Sequence, residues 1–294
     1  MQLELDFSGC DEAWWCLRLY YNKYVRHLVP KDIIFESALK FGEGIHEARR
    51  VLSETSGDVD AAIDIFNRVY TTAYEDVGAE EKARTPFVGR SLIRAYASKW
   101  STPDDLHTEI GASIEVPEAG CIYMGRIDYV ANDSEYTVTD VKTTSSTFWL
   151  PFARLNWQLV GYARMVKELV GIQPQQVCID ALIVSPPAKK AVLDVNMPEH
   201  EYALRLHDSL HRRFGSIQPR DYDEWLIWLK HTASVIRNAH TNNIWPMRTP
   251  KACGRFGRSC EYEVLCKAQN ADQEEKLVEA LFEERKWHPY ANGD

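Results

Sequence analysis

The sequence predicts an α/β protein in which a central mixed β-sheet is flanked by helices. Three observations carry this. Apolar residues recur at helical spacing through the first third of the chain, the period shortens to that of strands between His107 and Lys142, and a strand, a helix and a second strand follow in succession. That last order implies a parallel strand pair across the crossover, whereas short runs joined by tight turns imply antiparallel pairs.

Residues 11–105 read as mostly helical. Within 33–52, Ile45, Ala48 and Val51 recur every three residues, roughly one helical face. A second helix is expected after Ser56, Gly57 and Asp58, where the Ser and Asp are good capping types, from Val59, Ala62, Ile63, Phe66 and Val69. A third covers about 87–100. The runs 108–116, 121–130 and 135–142 are β-prone and separated by Pro117-Glu118-Ala119-Gly120 and Ala131-Asn132-Asp133-Ser134, which predicts a three-stranded antiparallel meander. An amphipathic helix is expected over 154–170, a buried strand over 177–184 and an edge strand over 191–195. Two helices, roughly 199–214 and 222–238, then precede a Cys-bearing tail. The reading is of one unit over 1–294, with a helical subdomain at 17–105, a catalytic α/β core at 106–197 and C-terminal helices and tail at 198–294.

The chain has 294 residues, 45% of them apolar, with 34 basic and 43 acidic side chains for a net charge of −9. This excludes a disordered tail or a fibre and permits a sizeable core. No stretch approaches the roughly 18 apolar residues of a membrane span, and MQLELDFSG is acidic where a signal peptide is basic, so a soluble cytoplasmic protein without a membrane partner is expected. Seven Cys in a chain of this length argue for thiol or metal chemistry rather than a disulfide framework. An acidic total does not exclude nucleic acid, because local basic patches and bound metal ions decide that.

The most informative stretch is GRIDYVANDSEYTVTDVKTT, residues 125–144. Asp140 and Lys142 are two apart on an expected strand, so both leave one face while Val141 points the other way. Asp128 ends the preceding strand, twelve residues earlier, and a hairpin through 131–134 brings it beside Asp140. Two hard oxygen ligands suit Mg²⁺ or Mn²⁺, which keep several waters. The lysine would position water or offset charge on a phosphate. An isolated DxK is short and ordinarily a surface ion pair. Gln158 and Tyr162 lie four apart on the following helix, hence on one face, able to bond Lys142 or a phosphate oxygen. Upstream, FGEGIHEARRVL places His46 mid-helix, a competent third ligand as neutral imidazole, after Gly42 and Gly44, which allow another element to approach closely.

The set GEGIHEARRVL, GRID, TDVKTT and QLVGYA resembles, in order and spacing, the RecB-like branch of the PD-(D/E)xK nuclease superfamily over about residues 8–266. The resemblance implies a restriction-endonuclease-like core. It implies that His46, Asp128 and Asp140 bind the catalytic divalent metal, with the Val141 backbone carbonyl, that Lys142 serves hydrolysis, and that Gln158 and Tyr162 support the site and the DNA. Asp140 stands where many relatives have Glu, a shorter arm of the same ligand type.

KACGRFGRSCEYEVLC holds Cys253, Cys260 and Cys266, with six and then five residues between them. Thiolates suit zinc or an iron-sulfur cluster, usually four in number. Cys16, before an aromatic run, resembles the first cysteine of RecB-like nucleases that carry a 4Fe-4S cluster, with Cys10 as the rival. That resemblance implies Cys16, Cys253, Cys260 and Cys266 as cluster ligands, zinc being the alternative. Many such relatives have two residues where this chain has six. Cys121 and Cys178 lie in apolar strands and read as core.

There is no GxxxxGK[ST], so this chain has no P-loop; Gly42-Glu43-Gly44 lacks the third glycine of a dinucleotide fingerprint, and Arg50 stands where HExxH needs its second His. Arg49, Arg50, Arg84, Arg90, Arg94, Lys99, Arg212, Arg213 and Arg220 are candidates to track phosphates. Trp149 and Trp157 flank the loop between Lys142 and Gln158, where a ring can stack on an unpaired base. The expected function is a metal-dependent DNA exonuclease in recombination, repair, phage DNA metabolism or CRISPR-type processing, in a bacterial cell or phage-infected host. Its expected partners are DNA that is single-stranded or has free ends, and a recombination or repair protein. The alternative is a catalytically silent DNA-binding or scaffold protein, which would have lost a metal ligand or the lysine.

Overall fold

The computed structural model describes residues 2–77, 83–100, 105–148, 150–184, 197–246, 252–254 and 259–286. Trp149 and the expected edge strand at 191–195 lie outside them. Strand β1 (Leu3–Leu5), helices α1 (Phe7–Trp15) and α2 (Leu17–Tyr20), a π-helical turn (Tyr21–Val25) and β2 (Leu28–Pro30) precede three long helices, α3 (Ile33–Glu54), α4 (Val59–Val77) and α5 (Pro86–Lys99). Then come β3 (Asp105–Val116), β4 (Cys121–Ala131), β5 (Val138–Thr144), a 3-10 segment (Leu150–Leu155), α6 (Trp157–Val170) and β6 (Gln176–Ile183). The chain continues through α7 (Glu199–Arg205), β7 (Leu210–Ser216), α8 (Pro219–Asn242), α9 (Glu263–Cys266), α10 (Ala271–Leu281) and β8 (Phe282–Glu284).

The chain forms two compact units, each discontinuous in sequence. One comprises residues 33–110 and 127–218. In it the end of β4 pairs antiparallel with β5, β5 parallel with β6, and β6 antiparallel with β7, giving a mixed sheet as expected. In register, Tyr129 faces Thr139, Asp140 faces Ile179 and Asp180 faces Arg212. Helices α3, α4 and α5 bury Phe41, Ile45, Phe66, Tyr70 and Leu92 in one core with Tyr129 and Val141 of the sheet. Gly89 is required there: a Cβ at that position would lie 2.0 Å from Phe66 Cζ, and one at Gly44 would lie 2.9 Å from the same ring. The other unit comprises 1–32, 111–126 and 219–294. Its β1 runs parallel to the start of β4, with Leu3 opposite Cys121, and its β2 pairs antiparallel with β8.

One expected helix is corrected. Residues 199–214 were expected to be helical throughout, but α7 ends at Arg205 and Leu210–Ser216 is a strand. Leu206, Leu210 and Phe214 sit four apart and mimic a helical stripe. The free edge of β6 offers unpaired backbone groups whose satisfaction outweighs that local pattern. Strand β1, three residues long, is too short to show a period. Among the described residues, no helix is long and apolar enough to cross a membrane.

Candidate active site

Strand periodicity fixes the centre of the site. Along β5, Val141 is fully buried in the helical core while Asp140 and Lys142 leave the opposite face, and their side chains form an ion pair of 2.8 Å. Asp140 is 1% exposed, whereas the Lys142 side chain is 38% exposed and reaches solvent. Asp128, on the antiparallel neighbour β4, accepts a hydrogen bond from the backbone N–H of Val141 through Oδ2 at 2.7 Å. Val141, expected to offer its carbonyl to the metal, also engages the site through its N–H. His46 lies on α3, whose backbone is tied to the sheet by the Tyr129 hydroxyl, a donor to the His46 carbonyl at 3.1 Å. Its Nδ1 is 3.6 Å from Asp128 Oδ2 and 3.3 Å from Glu109 Oε1. One turn earlier, a Cβ added at Gly42 would lie 3.5 Å from Thr143 Oγ1 of β5, an ordinary contact.

Ligand atoms of His46, Glu109 and Asp128 all lie within 4.8 Å of one another, and this is the one such group of three among the described residues. Asp140 stands outside that triad and beside it. Glu109 carries no motif, and the sequence reading missed it. Its signal is backbone conformation: Glu109 has φ +49° within β3, in the left-handed region that costs a non-glycine residue about 1 kcal/mol or more. That local reversal of the strand's geometry aims the carboxylate at His46.

The electrostatics state a demand for positive charge. Burial pushes the Asp140 carboxyl up to about 6, against the pull of Lys142 and with the push of Asp128. Burial also raises Asp128, opposed by His46 and Lys142. His46 rises to about 9: burial disfavours its charge, but Asp128 and Glu109 more than compensate. Lys142 is likewise raised, burial being outweighed by Asp140 and Asp128. Asp140 Oδ2 is buried with no hydrogen-bond partner. An oxygen of this kind, beside an imidazole and two further carboxylates, is a donor set suited to Mg²⁺ or Mn²⁺.

Helix α6 packs on β5 and β6, its start capped by Asn156, which accepts from the Gln158 N–H at 2.9 Å, and its end marked by Gly171 at φ +76°. One helical turn aligns Gln158 with Tyr162, and the amide donates to the tyrosine hydroxyl at 3.0 Å. Of the basic residues considered for phosphates, Arg49 is buried and committed. Its guanidinium donates to Tyr96 Oη and Asp105 Oδ2 and lies 4.1 Å over the Tyr129 ring. Arg212 bonds Asp180 and Tyr96 and stacks 4.4 Å from Trp100. Both serve the fold.

The other unit holds six of the seven cysteines, among them the four expected as cluster ligands. Cys16 sits in extended backbone between α1 and α2, Cys253 in a 3-10 turn, Cys260 just before α9 and Cys266 at its end. The Cys260 N–H donates to the Cys253 carbonyl at 2.6 Å, and beneath them Leu28, Tyr262, Leu265 and Phe282 form a small core. Burial raises the Cys266 thiol, Arg18 opposes this, and Cys16 and Cys253 raise it further. Burial brings Cys260 up to about 11, with contributions from Cys266 and Cys253. Cys10, the rival fourth thiol, is fully buried and feels Cys121 instead.

No family model matches the chain, and no curated protein matches it. Among solved structures it is similar to a protein of Eubacterium rectale provisionally named an exonuclease, with a TM-score of 0.47 and 11% identity over 83% of this chain and 84% of that one.

Proposed function

We propose that this chain is a metal-dependent deoxyribonuclease of the RecB-like PD-(D/E)xK type, an exonuclease acting on DNA that is single-stranded or has free ends. His46, Glu109, Asp128 and Asp140 hold Mg²⁺ or Mn²⁺. The observation that carries the reading is the convergence of the His46, Glu109 and Asp128 ligand atoms beside a buried Asp140 oxygen that has no hydrogen-bond partner. A divalent cation there supplies Lewis-acid polarisation of a phosphoryl oxygen and a more acidic water.

The chain's own residues do the rest. Lys142, held by Asp140 at 2.8 Å, offsets charge developing on the phosphate. The Val141 N–H fixes the Asp128 carboxylate, and Tyr129 fixes the helix that carries His46. Gln158 holds the Tyr162 hydroxyl in place at the helix face. Cellular roles in recombination, repair, phage DNA metabolism or CRISPR-type processing, in the cytoplasm and with a repair protein as partner, accord with this chemistry. The test is Mn²⁺-dependent degradation of end-labelled single- and double-stranded linear DNA, with circular DNA as control. Lys142→Ala and Asp140→Ala should each abolish it while the far-ultraviolet spectrum stays unchanged. Undiminished degradation by either variant would remove the assignment.

Cys16, Cys253, Cys260 and Cys266 we assign to a 4Fe-4S cluster rather than zinc. The reading is supported by the resemblance of this cysteine set to that of cluster-bearing RecB-like nucleases, and by the mutual influence of Cys266 with Cys16 and Cys253. Anaerobically purified protein should be brown, with broad visible absorbance that Cys266→Ser removes; a colourless, zinc-loaded preparation refutes this.

A further inference from the structure

The unit that holds the catalytic candidates leaves two aromatic rings in solvent. Phe148 is 81% exposed and Phe152 is 50% exposed, and the rings form an edge-to-face pair with centroids 6.3 Å apart. Both stand on the segment between β5, which carries Asp140 and Lys142, and α6, which carries Gln158 and Tyr162. Phe148 is six residues beyond Lys142. Large apolar side chains this exposed have no core to account for them.

Local bonds order the backbone that enters the pair. Thr144 Oγ1 accepts from the Ser146 N–H at 3.2 Å and Ser146 Oγ accepts from the Phe148 N–H at 3.3 Å, so the backbone entering the pair is bonded at every second residue. The 3-10 segment bearing Phe152 lies against β7 at Gly215. A Cβ there would come within 2.8 Å of the Arg154 backbone nitrogen, so glycine permits the seating.

We propose that Phe148 and Phe152 are a stacking platform for an unpaired nucleobase of the substrate strand, adjoining the phosphate at Lys142. This rests on the nuclease reading. The occupant follows from position and charge. Lys142 precedes the rings in sequence and its side chain reaches solvent, so a cation and exposed aromatic faces follow one another along one stretch, a combination that binds single-stranded nucleic acid without sequence preference. A duplex end, whose bases are paired, offers no free face of this kind except by fraying. The platform makes the protein prefer single-stranded over blunt double-stranded DNA.

The test is equilibrium binding in Ca²⁺, in a Lys142→Ala background, of a single-stranded oligonucleotide containing 2-aminopurine and of a blunt duplex. Phe148→Ala/Phe152→Ala should weaken single-strand binding about tenfold and abolish the quenching of 2-aminopurine. Duplex affinity should move less than twofold, and Phe148→Trp should retain quenching. Unchanged single-strand affinity, equal losses on both substrates, or a dimer that the double alanine variant dissolves would each overturn the platform, the last by showing that a second copy covers the rings. Binding is read without hydrolysis. Failure of the nuclease reading shows separately, as no Mn²⁺-dependent cleavage of either substrate by the parent protein.

Discussion

The backbone N–H of Val141 donates to Asp128 Oδ2 at 2.7 Å, so the acid on one strand is tied to the residue that lies between the acid and the lysine on the next. Position and charge of Asp128 are thereby separable. Asp128→Asn keeps an acceptor for Val141 and removes only the charge. Folding stability should change by less than about 1 kcal/mol, and Mn²⁺ affinity, measured by calorimetry, should fall at least tenfold with loss of DNA degradation. Unaltered Mn²⁺ affinity would show that Asp128 serves the hairpin and not the metal.

Glu109 invites the matching experiment. Gln at this position preserves length and the φ of +49° but brings no negative charge to His46. Glu109→Gln should weaken Mn²⁺ binding about tenfold, with the melting temperature within a few degrees of the parent. A normal Mn²⁺ isotherm would mark Glu109 as a partner of His46 alone.

These two residues also show what was legible in the sequence. Asp140 and Lys142 share a face because strand side chains alternate, and this is a local rule readable from three residues. Likewise β3, β4 and β5 fall within three residues of their expected starts, since alternation and turn residues mark them. His46 stands 82 residues before Asp128, and no local rule joins them; only the resemblance put them together. Glu109 reaches the site from a strand position with φ +49°, and nothing in the residues around it announces the role. Strand β7 was hidden for the opposite reason, because its four-residue apolar spacing fits a helix until β6 offers it an edge.

Tyr96 is the hub of a buried network. Its hydroxyl donates to Asp180 Oδ2 at 2.5 Å and accepts from Arg49 Nε at 2.8 Å and Arg212 Nη2 at 2.7 Å. Tyr96→Phe leaves two guanidinium groups and a carboxylate each short of a partner. Unsatisfied buried groups cost about 1–3 kcal/mol each, less what relaxation recovers, so a net loss of about 2–4 kcal/mol in urea denaturation is expected. A loss below about 1 kcal/mol would show that water or the remaining Arg212–Asp180 pair replaces the hydroxyl.

In the other unit, Asp6 caps α1 by accepting from the Gly9 N–H at 2.6 Å, yet burial pushes its carboxyl up to about 6 despite that bond and the pull of Lys23. The folded chain therefore holds the Asp6 proton more tightly than the unfolded chain, whose carboxyl titrates near 3.8. Stability from this group is full below about pH 4 and is lost as the pH rises through about 6. Asn caps a helix as well as Asp does and carries no charge to desolvate. Asp6→Asn should thus be more stable than the parent at pH 7 by about 1–2 kcal/mol, a value reduced from the full shift for the side chain's partial exposure, and the difference should vanish by about pH 4. Chemical denaturation of both proteins across pH 4–8 measures it. A variant equally stable at both ends of that range would mean that Asp6 meets water freely and that its cap, not its charge, is what the helix uses.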